Sequence, residues 1–263
     1  MNSTAVKVNY PFTAFPFPDV FTYNLYMQKY TAIILSSRDT NEFDRIYIMY
    51  TLEKGLVRAV AKGVRKPAAR LAGHLEPGTL SEVYVARAKG LGQITSAVEV
   101  KDHKNIKNSY EKLQLVFPVL NFISRKFSEE EKDEKVFELF SDFLKLLDKD
   151  NNLAESDKIL SLSFWWKLFD FLGHRPEVMR CANCEGILAE SGQNYFSISK
   201  GGIICETCSK GEGDLLKISS NNIKLIRVFL ANSIKKISKI KAEKSDIQNL
   251  ERITNLFLRY NLI

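Results

Sequence analysis

Long apolar runs are missing from this 263-residue sequence. The nearest approach, L-V-F-P-V-L-N-F-I, contains Pro118, soon meets Arg125, and falls well short of the roughly 18 apolar residues that a membrane-crossing helix requires. The N-terminus has no basic start followed by an apolar run and a small-residue cleavage site, so export is not expected. Histidine is scarce: His74, His103 and His174 are the whole set, and none stands in a nucleophile or acid–base arrangement. The phosphate loop G-x-x-x-x-G-K-[ST], the dinucleotide fingerprint G-x-G-x-x-G and the zincin motif H-E-x-x-H are absent as well. The acidic run at 129–134 reads as helix capping and not as a Mg²⁺ site. These absences favour binding over catalysis, and the expectation is that the protein is not an enzyme.

What is present is an ordinary folded composition, 45% hydrophobic and 26% charged. The length predicts two or three modules around separate cores. A net charge of +7 favours an acidic partner such as nucleic acid or an anionic surface. That charge is segregated: residues 29–103 carry 12 basic and 8 acidic side chains, 211–263 carry 10 and 5, and 104–180 carry 13 and 14.

Residues 1–28 are rich in aromatics and proline with almost no charge. They read either as a tail on the surface or, the favoured reading, as an extension upstream of a natural start at Met27. From residue 29 to 103, five β-like runs rich in Val, Ile, Thr and Tyr alternate with Glu-Lys-Gly, Gly-Val-Arg-Lys-Pro and Lys-Gly-Leu-Gly breaks. This predicts a small antiparallel barrel of the five-stranded OB type, with an SH3-like barrel as the competitor. Alternation places Val57, Ala59 and Ala61 on one face and Arg58, Val60 and Lys62 on the other. Tyr47 and Tyr84 are candidates to stack on bases.

Helical spacing takes over in 104–180 and returns in 211–263, giving an α+β protein with a helical second domain. Ser128 with Glu129, Glu130 and Glu131 predicts a capped helix start, followed by Val136, Phe140, Phe143 and Leu147 at helical spacing. L-S-L-S-F-W-W-K-L-F-D-F-L, apolar on most sides, predicts a central helix that stops at Gly173. Two further helices are expected, one after Ser219-Ser220 and one over 246–260.

Two motifs carry chemistry. Cys181-A-N-Cys184 and Cys205-E-T-Cys208, 20 residues apart, have the spacing of a four-thiolate zinc site. Four sulfur ligands leave no open position for water, so one structural Zn²⁺ per chain is expected, holding an inserted loop over 181–210. Gly186, Gly201 and Gly202 allow its close turns, and Y-F-S-I-S predicts a short hairpin. His174 is read as a helix-end residue and not a ligand. Thiols paired this way, without an export signal, point to a reducing compartment, the cytoplasm.

The second motif is R-A-V-A-K-G-V-R-K-P-A-A-R-L. Arg58, Lys62, Arg65, Lys66 and Arg70 lie on or beside a turn built around Gly63 and Pro67, with no acid between Glu53 and Glu76. Phosphate backbones are the natural counterpart of such a turn. Arg87 and Lys89 join the candidate set by position, and K-K-I-S-K-I-K-A-E-K at 235–244 is a second basic surface. The competing reading is a helical protein–protein scaffold with a solvated basic turn and no DNA binding of its own.

The sequence also resembles the bacterial DNA repair and recombination mediator family RecO. The resemblance is carried by Y-T-A-I-I-L-S-S-R-D-T-N-E-F-D-R-I-Y-I-M-Y-T-L-E-K-G, A-V-A-K-G-V-R-K-P-A-A-R-L-A-G-H-L-E-P, K-G-L-G-Q-I-T-S-A-V-E and F-L-G-H-R-P-E-V-M-R-C-A-N-C. It starts near Met27 and implies an OB-fold, a helical domain and a zinc loop. It further implies binding to single- and double-stranded DNA without sequence specificity, strand annealing, and help in loading RecA onto DNA coated with single-strand-binding protein. RecR and, in some bacteria, RecF are the implied partners, and a nucleoid-associated location follows. Lys62, Arg65, Lys66 and Arg70 match the family's basic pattern. Gly78 departs from it, and the last 30 residues match poorly.

Overall fold

Period-two alternation of β-branched, aromatic and small residues builds β1 (Tyr26–Asp39), β2 (Arg45–Thr51), β3 (Gly55–Ala61), β4 (Leu80–Arg87) and β5 (Gly92–Lys101). In the computed structural model these strands close into a barrel in the order β1-β2-β3-β5-β4, with β3 and β5 running parallel. This is the closure of the OB-type Greek-key barrel and not of its SH3-like competitor. The structure describes residues 26–67, 69–87, 90–149, 154–188, 193–237 and 240–262. Residues 1–25 and Lys89 lie outside that set, and with them most of the expected N-terminal extension and one candidate cation. Tyr26, Met27 and Gln28, assigned to the extension from sequence, instead open β1, pairing with Arg87, Ala86 and Val85 of β4.

The barrel has two apolar faces with different destinations. Ala32, Ile34, Tyr47, Met49, Val57 and Ala59 point inward to the barrel's own core. Ile33, Leu35, Tyr50, Leu56 and Leu80 point outward and join the core of the helical part. There Tyr50 packs against Phe127 and Phe137, with ring centroids 5.1 and 6.3 Å away. Barrel and helices are therefore welded by a continuous apolar cluster.

The helical part comprises α1 (Lys104–Lys107), α2 (Tyr110–Lys126), α3 (Glu134–Leu147), α4 (Ala154–Phe171), α5 (Ser220–Ala231), α6 (Ile234–Ile237) and α7 (Lys244–Leu262). The tryptophan-bearing helix α4 is buried without a break from Ile159 to Phe169, as its all-round apolarity requires. It ends where Gly173 takes φ +83° and the His174 N–H reaches back to the Phe169 carbonyl at 2.8 Å. No helix among the described residues is long and apolar enough to cross a membrane.

One expected boundary moves. The N–H of Ser128 does donate to the Glu131 carboxylate at 3.0 Å, but no helix follows; α3 starts later, capped by Asp133, whose carboxylate accepts the Val136 N–H at 3.1 Å. Glu129 and Glu130 are turned to the barrel, where they pair with Arg58 at 3.7 Å and Lys54 at 3.3 Å. Gly55, at φ +75°, lies so close to this loop that an added Cβ would sit 2.4 Å from the Glu131 carbonyl oxygen. The acidic run is thus a clamp on β3 before it is a helix cap.

Between α4 and α5 the chain makes a three-stranded sheet in the order β7-β6-β8, from β6 (Asn194–Ser197), β7 (Gly202–Cys205) and β8 (Leu215–Ile218). The hairpin expected from Y-F-S-I-S is β6–β7, and β8 adds a strand that sequence did not suggest. Phe196 anchors it, fully buried 5.7 Å from the Trp166 ring and 5.4 Å from the Phe257 ring.

Candidate nucleic-acid interface and metal centre

The basic turn leaves β3 at Ala61 and is shaped by Gly63 at φ +66°, a left-handed position where a side chain would be strained. It does not stand alone. The loop between β1 and β2 lies against it, and the two are stitched by hydrogen bonds. The Asp44 carboxylate accepts the Gly63 N–H at 2.7 Å, the Phe43 carbonyl accepts the Arg65 N–H at 3.0 Å, and the Arg65 guanidinium donates to the Asn41 carbonyl at 3.2 Å. The partner loop is itself an Asx turn, in which Asn41 Oδ1 accepts the N–H groups of Phe43 and Asp44 at 3.1 and 2.8 Å.

This juxtaposition changes the electrostatics read from sequence. The turn contains no acid, yet the neighbouring loop brings Asp39 and Asp44 to it. Asp39 pairs with Arg45 at 2.7 Å and with Arg65 at 3.4 Å. A hydrogen bond from Arg45 holds the Asp39 carboxyl below its ordinary range, and hydrogen bonds from Asn41 and Gly63 do the same for Asp44. Lys66 lies over the Phe43 ring, 5.5 Å from its centroid. Lys62 and Arg70 are exposed and have no ion pair among the described residues. The four cations therefore divide into one that is internally paired, one resting on a ring, and two turned to solvent.

The remaining candidates lie elsewhere. Arg58 does face outward with Val60 and Lys62, as alternation required, but its partner is Glu129. Arg87 ends β4 opposite Tyr26, whereas the turn adjoins the other end of β1 at Asp39. In the 235–244 stretch, Lys235 pairs with Asp142 of α3 at 2.9 Å. Tyr47 is no stacking platform: it is 1% exposed inside the barrel, and burial raises its phenol pKa. Tyr84 is half-buried on the outer face, across from Lys29 and Ser96. Sequence reasoning passed over Phe43, an exposed aromatic beside the turn; the signal was a lone aromatic between two acids in a polar loop.

The four cysteines meet as their spacing foretold. Their sulfur atoms all lie within 4.8 Å of one another, with Cys184 and Cys205 4.0 Å apart. A tetrahedral site with Zn–S bonds near 2.3 Å needs sulfurs about 3.8 Å apart, so the cluster is already close to metal-binding dimensions. Burial opposes ionisation of Cys181, but the N–H groups of Cys184, Cys205 and Asn183 aim at its sulfur and pull the thiol down to about 6. The sulfur accepts the Cys205 N–H at 3.4 Å. These residues could hold a metal ion, and His174, at the end of α4, is not among them.

Comparison with known proteins agrees with this architecture. The family model described as "Recombination protein O N terminal" matches residues 27–102, and "Recombination protein O C terminal" matches 108–262. A protein of Dehalococcoides mccartyi named "DNA repair protein RecO" is 32% identical over 235 residues, 89% of this chain and 90% of its own. Proteins of the same name from Pelotomaculum thermopropionicum and Desulforamulus reducens are 28% and 26% identical, each over about nine-tenths of both chains. The first model spans the barrel and the second spans the helical part with its four-cysteine hairpin, and the chain belongs to the RecO family of DNA repair proteins.

Proposed function

We propose that this protein is a recombination mediator that binds single- and double-stranded DNA through the turn at Lys62, Arg65, Lys66 and Arg70. The observation that carries the reading is that two cations of the turn face solvent on a loop pair stiffened by backbone hydrogen bonds. A track of this kind attracts phosphates and reads no base edges, so binding is independent of sequence. Two strands held loosely on cationic surface repel each other less and keep their bases free to pair, which is annealing without nucleotide hydrolysis. Assistance in loading RecA onto DNA coated with single-strand-binding protein, with RecR and RecF as partners, belongs to the same proposal.

The four-cysteine cluster would hold one Zn²⁺ per chain. With all four positions filled by sulfur, such an ion supplies cross-linking and no chemistry.

The test is binding of single-stranded DNA by fluorescence anisotropy at several salt concentrations, for wild type and for a variant with Lys62, Arg65, Lys66 and Arg70 changed to Ala. Each lost phosphate contact should flatten the log–log salt dependence by about 0.7, up to about 2.8 for four. Equal slopes would remove the turn from the interface. Failure of the wild type to bind would leave the scaffold reading in its place.

A further inference from the structure

We propose that Phe43 is a base-stacking platform that makes this surface prefer single-stranded over duplex DNA; the proposal rests on the DNA-binding reading of the turn. Phe43 is 40% exposed at the tip of the loop between β1 and β2 and belongs to neither apolar core. A single exposed aromatic is ordinary on a protein surface; what sets Phe43 apart is its fixed backbone and the cation beside its ring. Here the loop holds it in place: the Phe43 N–H donates to Asn41 Oδ1 and its carbonyl accepts from Arg65, so the backbone on both sides of the ring is fixed. The ordering cost of presenting the ring is met by the fold itself and not at the moment of binding.

The ring's surroundings define the ligand. Lys66 stands 5.5 Å from the ring centroid, and Lys62 and Arg65 occupy the same turn. An aromatic face beside several cations matches a nucleotide, whose base offers a π surface and whose phosphate offers the charge. Lys66 exchanges its weak contact with the ring for the phosphate of the nucleotide whose base takes its place. A duplex presents the same phosphates but keeps its bases stacked internally, so it gains nothing from the ring. Cations and ring thus divide the labour: charge sets affinity for any nucleic acid, and Phe43 adds affinity where bases are unpaired.

The two contributions separate experimentally, because stacking releases no counterions. Anisotropy would be measured with oligo-dT, an abasic oligonucleotide of equal length and a duplex, for wild type, Phe43→Ala and Phe43→Trp. The Ala variant should weaken oligo-dT binding at least about fivefold, the low end of one base stack, with the salt slope unchanged and the other two ligands within about twofold. The Phe43→Trp variant should retain oligo-dT affinity, and its added fluorescence should be quenched by oligo-dT but not by the abasic strand. Unchanged oligo-dT binding by Phe43→Ala, equal weakening for all three ligands, or added indole fluorescence in Phe43→Trp that is indifferent to bases would each overturn the proposal. A wild type that binds with a steep salt dependence and ignores Phe43 sinks this inference alone. A wild type that binds none of the three ligands removes the function it rests on as well.

Discussion

The Asp44 carboxylate accepts the backbone N–H of Gly63 at 2.7 Å, tying two loops that are 19 residues apart. The bond fixes the basic turn at its most unusual residue, the glycine in the left-handed region. Hydrogen bonds from Asn41 and Gly63 hold the Asp44 carboxyl below its ordinary value of 3.8. Its contribution to stability is therefore fully present above that value and is lost as pH falls through the lower, folded-state one. In a pH titration followed by NMR, the Gly63 amide should stay protected through pH 4 and lose protection only below it. Asp44→Ala should abolish that protection at neutral pH.

If the turn binds DNA as proposed, Asp39, which approaches Arg65 at 3.4 Å, should compete with phosphate for it. Asp39→Asn removes that competition and one negative charge from the interface. DNA should then bind more tightly at low salt, with the advantage shrinking as salt screens the difference. Anisotropy at two salt concentrations reads the effect directly.

Metal removal should act unevenly. The cysteine hairpin is joined to the helical core through Phe196, Ile203 and Ile204, all fully buried. Chelation, or Cys184→Ser, should loosen residues 181–208 and disturb Trp166, whose ring lies 5.7 Å from Phe196, while the barrel amides keep their protection. Hydrogen exchange locates the change, and metal analysis of protein purified without chelator should give one zinc per chain.

Gly55→Ala tests the seam between barrel and helices. The substitution forces a left-handed backbone on alanine and drives its Cβ into the Glu131 carbonyl. A loss of about 1–3 kcal/mol is expected from the backbone alone, before the clash is relieved. Chemical denaturation measures it.

His103 supplies a pH dependence at the milder end. It is 2% exposed, and burial lowers its pKa below 6.5 despite the Gly78 carbonyl 2.8 Å from Nδ1. The unfolded chain takes up the proton first as pH falls. Stability is therefore complete above pH 6.5 and declines below it, by about 1.4 kcal/mol per unit, until the folded-state value is reached. His103→Gln should flatten that part of the stability–pH curve.

The barrel, the central helix α4 and the cysteine cluster were legible because each rests on local pattern: period two, all-round apolarity, and fixed Cys spacing. The cations of the turn were visible for the same reason. What escaped was set by partners distant in sequence. Tyr47 alternates with Ile46 and Ile48, so periodicity alone cannot say which face looks inward; the closed barrel turns Tyr47 to its core. Pro118 obscured α2, which carries the ring through its middle at the loss of one hydrogen bond to the Gln114 carbonyl. Ser128 and its glutamates mimicked a helix start because a capping box and a clamp on β3 use the same residues. The acids around the basic turn were invisible, since Asp39 and Asp44 precede it by a full strand pair.

The outward face of the barrel bears on how the protein comes to exist. Ile33, Leu35, Tyr50, Leu56 and Leu80 find their cover in residues such as Phe127 and Phe137, which are synthesised later. As the chain leaves the ribosome, the strands emerge with one wall unfinished. That wall can be covered only once α2 and α3 have themselves emerged, so a chain halted before them would present it as exposed apolar surface.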